Sequence, residues 1–335
     1  MKVIKRILKW LIVVVLGLSL IYFLGPKPES PELSRSITPI SVSLNNLDSF
    51  VEQSESVTNL KDNNQARIIW AGNTLSKTEY SVVYLHGFSA SQAEGFPLHQ
   101  DFAKRYGCNL YLARLAGHGI ANQNAMKGLN AAHLMKSARD AIAIGQLLGD
   151  KVIVMGTSTG STLALYLAGG KNEIHALIMY SPNIAVNDKS ANLLTGPWGY
   201  QLAEYVAGGE VIYWGSSSGF DSLYWNTSYH IDGLIAMQDL IDQTMNKQTF
   251  QAVKQPVFMG YYFKNEEEQD QIVSVPEMLN MFDLLGTPQE KKVREAFPGA
   301  GHHVIASSYK SRDVESVKKS TYQFAEEILH LKPIE

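Results

Sequence analysis

The chain has 335 residues, 45% of them hydrophobic and 18% charged, which supplies a sizeable core and excludes wholesale disorder. Lysine and arginine number 29 against 32 aspartates and glutamates, a net charge of −3, so nothing points to nucleic acid as the main partner. The single cysteine, Cys108, excludes a disulfide framework and a cysteine-based zinc site.

At the start, Lys2, Lys5, Arg6 and Lys9 precede an apolar run from Trp10 to Leu24, which Gly25, Pro26 and Pro28 end. Basic-then-apolar is the layout of a signal peptide or signal anchor. The run spans roughly 22 Å as a helix, short of about 30 Å of hydrocarbon. Including Ile7 and Leu8, with Lys9 snorkelling, lengthens it. No A-x-A-like cleavage site follows, so residues 1–25 read as an uncleaved anchor that meets the membrane through residues 7–25. Secretion after signal cleavage is the alternative. The positive-inside rule places the cations in the cytoplasm and the body on the other side, periplasmic or extracellular. Residues 26–46, rich in Pro and Ser, read as a linker.

From residue 47 onward strand and helix patterns alternate. Strands are expected at 81–85, 109–115, 151–155, 174–180, 256–263 and 292–297, and helices at 130–148, 161–168, 275–285 and 311–331. Buried apolar strands alternating with helices indicate an α/β fold: a doubly wound, mostly parallel sheet with helices on both faces, built from residues 47–182 and 254–335. Residues 183–253 show no clear strand–helix unit. Nine aromatics fall between Trp198 and Tyr229, and no Lys or Arg occurs between Lys189 and Lys247. This stretch reads as an inserted aromatic cap over a binding site; a subdomain with its own aromatic core is the plainer reading and is compatible with it.

After the strand at 151–155 comes Gly156-Thr157-Ser158-Thr159-Gly160 and then a helix. G-x-S-x-G between strand and helix is the pattern of a nucleophile elbow. The turn is so tight that the neighbours two before and two after the serine must lack side chains. It lifts the serine oxygen to the carboxyl end of the sheet and aims the Thr159 N–H at a developing oxyanion. A second match, Gly215-Ser216-Ser217-Ser218-Gly219, precedes FDSLYW and not a small-residue helix, and reads as a flexible loop.

A serine needs a base, and the base an orienting acid, from later loops in the order Ser, Asp/Glu, His. The loop Gly301-His302-His303-Val304 follows a strand and precedes the last helix. His303 is the expected base and His302 the alternative; His330, ending the last helix, reads as a surface residue. For the acid, Asp270 stands directly before Ile272-Val273, which would pack down and fix the carboxylate. Glu267 is the reserve within an acidic run that otherwise reads as solvated. The second oxyanion donor is the Phe88 N–H in the loop after Leu85-His86-Gly87. His86 and His118 read as loop-shaping hydrogen-bonders.

These residues resemble the α/β-hydrolase superfamily, in particular its esterase, monoacylglycerol lipase and serine aminopeptidase-like branch. The shared marks are L-H-G-F at 85–88, R-L-x-G-H-G at 114–119, G-T-S-T-G at 156–160, D-x-I-V at 270–273 and G-H-H-V-I at 301–305. The resemblance covers about residues 65–333. It implies a sheet of about eight strands with a cap inserted after the sixth. It also implies Ser158 as nucleophile, Asp270 as acid, His302 or His303 as base, and Phe88 and Thr159 as oxyanion donors.

The expected function is hydrolysis of carboxylic esters with an apolar acyl group, through an acyl-enzyme on Ser158. A cap without Lys or Arg disfavours a highly anionic substrate, and a membrane tether suits lipid-derived esters. One alternative is an aminopeptidase-like enzyme, with Glu204, Glu210 or Asp221 holding a free amino terminus. Another is a membrane-anchored binding protein without activity. No dinucleotide or P-loop glycine pattern and no H-E-x-x-H occurs, so no cofactor and no metal is expected.

Overall fold

The computed structural model describes residues 2–170, 173–214 and 219–334. Strands β1 (Arg67–Ile69), β2 (Thr78–Leu85), β3 (Asn109–Leu112), β4 (Gly149–Thr157) and β5 (Ile174–Tyr180) precede the inserted stretch. That stretch holds the short hairpin β6 (Val211–Tyr213) and β7 (Ser228–His230), and β8 (Val257–Tyr261) and β9 (Lys292–Ala296) follow it. The main sheet has the order β1-β3-β2-β4-β5-β8-β9, with only β1 antiparallel to its neighbour.

Seven strands, where the resemblance implied about eight, put the insertion after the fifth. Ahead of β1, Asn59 and Asn63 take positive φ, and Leu60 bridges Ile120 instead of joining the sheet. The strand at 174–180 falls where the pattern placed it, and β2 and β4 extend beyond their expected ends. Strand β1 has three residues and no detectable alternation, and was not expected.

The helices are α1 (Lys2–Phe23), α2 (Leu44–Ser54), α3 (Leu98–Arg105), α4 (Ala131–Leu148), α5 (Thr159–Ala168), α6 (Gly199–Ala207), α7 (Gly219–Tyr224), α8 (Asp232–Thr244), α9 (Lys247–Ala252), α10 (Val275–Leu284) and α11 (Val314–Glu327). Alternation along the central strands feeds two cores. Val152, Val154, Leu177 and Met179 face one side with α4, α5, α8 and α10. Ile153, Met155, Ile178 and Tyr180 face the other with α3 and α11. Each such buried aliphatic side chain contributes about 2 kcal/mol.

The stretch that showed no strand–helix unit therefore holds four helices and a hairpin. Its last part, α8 and α9, packs on α4, α5 and α10 within the sheet's own helix layer. Helix α8 is buried nearly all round, Gln238 and Asp239 included, so no amphipathic stripe marks it in the sequence.

Helix α1 has the length and composition to cross a membrane, with a 21-residue apolar span of which none is buried. A signal sequence has the same properties. Residues 26–43 hold no helix or strand, yet they are docked along the body. Ser30 Oγ donates to Asp239, the Tyr166 hydroxyl donates to Leu33 O at 3.1 Å, and the Arg35 guanidinium lies 4.3 Å from the Tyr166 ring centre.

Candidate active site

Strand β4 runs through the middle of the sheet and ends in the turn at Ser158. Ser158 has φ 51° and ψ −118°, a backbone that costs a non-glycine residue about 1–3 kcal/mol. Close packing explains the flanking glycines. A Cβ on Gly160 would lie 2.0 Å from the Leu85 carbonyl oxygen, and one on Gly156 would lie 2.8 Å from the Ser161 nitrogen. The Ser158 N–H donates to Tyr180 O at 2.9 Å. Its carbonyl accepts from the N–H groups of Thr162 at 3.1 Å and Asn183 at 3.2 Å. Thr159 opens α5, whose N-terminal N–H groups and dipole favour negative charge beside Ser158.

The loop after β9 brings His303 to Asp270, with Nδ1 2.6 Å from Oδ2. The other Asp270 oxygen accepts the N–H groups of Ile272 at 2.9 Å and Val273 at 3.1 Å. The D-x-I-V pattern thus packs Val273 into the core and locks the carboxylate with its own backbone. Burial pushes the Asp270 carboxyl up. The neighbouring His303 and the two N–H donors outweigh burial and hold it below its ordinary value. Burial likewise pushes His303 down, and Asp270 followed by Glu94 outweighs that and raises it. With Nδ1 donating to Asp270, Nε2 is the nitrogen left for another partner.

The adjacent histidine is placed differently. His302 Nδ1 accepts the Val304 N–H at 2.9 Å. Burial, then the nearby His303 and Lys310, push it down to about 4, so it faces the cavity as a neutral ring.

The Phe88 loop is shaped from several sides. His86 Nε2 accepts the Leu115 N–H at 3.0 Å, and its Nδ1 lies 2.9 Å from Gly87 O. His118 packs edge-on against both His86 and Phe88. Both histidines are buried and pushed down by desolvation, which fits the loop-shaping role read for them. Ser89 O accepts the Asn226 N–H at 2.6 Å, tying this loop to the inserted segment.

Phe88, Ser158, His302 and His303 line one cavity of about 380 Å³. Its other walls are largely apolar: Trp214, Trp225, Tyr229, Leu234, Met237 and Ile272. At the rim Lys310 Nζ lies 2.6 Å from Asp221 Oδ1 and 4.8 Å from the Trp225 ring centre.

Other expected residues are not brought in. Glu267 and its acidic neighbours are exposed, and Glu268 pairs with Lys264. Glu204 and Glu210 do not line the cavity, and Asp221 does so already paired with Lys310. His330 is exposed at the end of the chain. The second G-x-S-x-G falls on residues 215–218, outside the described residues. Among the described residues, no group of three His, Cys, Asp or Glu side chains could hold a metal ion.

Three cavity residues went unforeseen: Glu94, Asn183 and Asn226, each at most 3% exposed. The Asn183 Oδ1 is buried without a hydrogen-bond partner. Nothing in the local sequence marks them; Ser91, whose side chain accepts from the Ala93 N–H, opens the turn that carries Glu94.

Residues 82–312 match the model of the alpha/beta hydrolase family. No curated protein sequence matches the chain. Among solved structures, a metagenome-derived lipolytic enzyme superposes with a TM-score of 0.62 at 16% identity, covering 79% of this chain and 98% of its own. The monoacylglycerol lipase of Paleococcus ferrophilus gives 0.56 at 16% identity over 77% and 96%. A soluble variant of the Saccharomyces cerevisiae monoglyceride lipase gives 0.54 at 16% identity over 78% and 90%. At these identities the likeness is one of fold.

Proposed function

The chain belongs to the α/β-hydrolase family, and from that premise we propose that it is a serine hydrolase of carboxylic esters with an apolar acyl group. One observation carries the reading: the positive-φ Ser158 lines the same apolar cavity as His303, whose Nδ1 is hydrogen-bonded to Asp270. Ser158 Oγ attacks the ester carbonyl while His303 Nε2 takes its proton, and Asp270 steadies the imidazolium that forms. The oxyanion is received by the N–H groups of Phe88 and Thr159. His303 then returns the proton to the leaving alcohol, and the same base activates water to release the acid. The Asp270 contact favours His303 over His302 as base, since the Nδ1 of His302 is occupied as an acceptor from its own loop.

The cap wall of Trp214, Trp225 and Tyr229 suits an acyl chain and offers no free cation for an anionic group. Lipid-derived esters fit this lining and the α1 helix, which we read as an anchor holding the body on the non-cytoplasmic face. Trp198, at the start of α6 in the cap, supports that arrangement. Its Nε1–H donates to Ile21 O at 3.2 Å and its N–H to Pro26 O at 2.7 Å, so the cap lies where the anchor ends.

The test is labelling by a fluorophosphonate probe, with hydrolysis of p-nitrophenyl esters from acetate to laurate. Wild type should react in both assays and Ser158→Ala in neither. A wild type that neither labels nor hydrolyses overturns the reading.

A further inference from the structure

Glu94 sits in a single 3₁₀ turn, Gln92–Gly95, under the Phe88 loop, and is 3% exposed. A carboxylate so buried needs a reason, because desolvation opposes its charge. Its Oε2 accepts the Gly87 N–H at 2.5 Å. A Cβ placed on Gly87 would lie 2.9 and 3.0 Å from the two Glu94 oxygens and 3.0 Å from the Ser158 Cβ. Gly87 is thus the thin spacer between this carboxylate and the elbow, one residue before the Phe88 N–H. The cavity reaches Glu94 as well.

We propose that Glu94 is a positioning residue: its carboxylate holds the Gly87–Phe88 backbone so that the Phe88 N–H faces the oxyanion, and its charge acts on His303, beside which it lines the cavity. The inference rests on the serine-hydrolase reading of Ser158 and His303. The ionisable groups facing Glu94 are His303, from the loop after β9, and Tyr84 on β2, whose hydroxyl lies 3.0 Å from Thr157 Oγ1. Burial drives the Glu94 carboxyl up to about 7, against the Gly87 N–H and His303, which pull it down. Its charged form in turn raises His303. When His303 accepts the Ser158 proton, two carboxylates stabilise the imidazolium, Asp270 by contact and Glu94 through space.

Two substitutions separate the functions. Glu94→Gln keeps an acceptor for the Gly87 N–H and removes the charge. Glu94→Leu removes both. With full-length protein and p-nitrophenyl butyrate, the Gln variant should move the acid limb of kcat/KM to lower pH, because His303 loses a neighbour that raises it. The Leu variant should lower kcat roughly 10- to 100-fold at nearly constant KM, below the roughly 100- to 1000-fold cost of deleting an oxyanion donor outright. A purely structural role would move neither the limb nor the division between kcat and KM. The Gln variant should also melt higher than wild type at pH 8, where wild type carries the buried charge, by a margin that shrinks as pH falls from 7 to 4.5 and is gone at pH 4.

If the Leu variant does not fold, the Gln variant decides by its pH limb. An unmoved limb there overturns the charge role, and an unchanged kcat in a folded Leu variant overturns the positioning role. Loss of both assays in wild type would instead remove the serine-hydrolase reading, and this inference with it.

Discussion

On the sheet side of the cavity each group of the proposed chemistry is held by several fixed neighbours. Ser158 has three backbone hydrogen bonds, and Asp270 has three partners for its two oxygens. On the cap side Trp214 is 56% exposed, Tyr213 70% and Leu223 52%, and the β6–β7 hairpin pairs only three residues with three. The cap meets the sheet side through hydrogen bonds and ring contacts, among them Asn226 on Ser89 and Ile120, Lys61 on Trp225, Lys310 on Asp221, and Phe220 and Tyr224 on Tyr309. Chemistry needs atoms fixed to fractions of an ångström, and so draws on the stiffest part of the fold. In the proposed reaction, admission of an acyl chain needs only an apolar wall, and falls to the side of the cavity with the more exposed side chains.

The comparison breaks first at Asp270. Asp270→Asn should lower kcat about 10⁴-fold, the scale of losing the orienting acid in a serine protease. Glu267→Gln, in the exposed loop a few residues away, should change nothing measurable. His302→Ala should cost less than about tenfold, where His303→Ala should cost roughly 10⁶-fold, more than Asp270→Asn. Equal losses in the two histidine variants would mean that the reacting geometry is not the one drawn here.

The pH profile sharpens the same side. In the proposed mechanism His303 must be neutral to take the serine proton, and Asp270 and Glu94 raise it above its ordinary value. Activity should therefore fall as pH drops through a value above about 6.5, losing about tenfold per pH unit below it. Asp270→Asn should carry that limb to lower pH in whatever activity remains. A limb near pH 4, where His302 titrates, would reverse the assignment of the base.

The contrast between floor and roof also governs what the sequence discloses. Strands β4 and β5 are central and apolar, and the elbow glycines are dictated by a sub-3 Å approach of backbone atoms, so pattern alone finds them. The Ser–Asp–His order locates Asp270 because Val273 must pack beneath it. His302 and His303 could not be separated by pattern, since the choice depends on which ring reaches a carboxylate 33 positions away. Glu94 is silent for a related reason. Its burial comes from Gly87 and Ser158 in space, and Ser-Gln-Ala-Glu-Gly reads as an ordinary polar turn. The cap elements are too short for periodicity to register, and α8 is too thoroughly buried to show a polar face.

The smallest effect expected lies on the cap. The Trp214 indole lines the cavity and its Nε1–H donates to the buried Tyr229 hydroxyl at 2.5 Å, so the two rings form one panel of the wall. Trp214→Ala should raise KM for a decanoate ester about tenfold, from roughly 1.4 kcal/mol of lost apolar contact, and leave KM for an acetate ester within about twofold. Because, among the described residues, the hydrogen bonds of this panel run to neither Ser158 nor His303, kcat should hold for both esters. A fall in kcat with acetate would show that the cap takes part in fixing the reactive groups, and the division of labour between the two sides of the cavity would have to be given up.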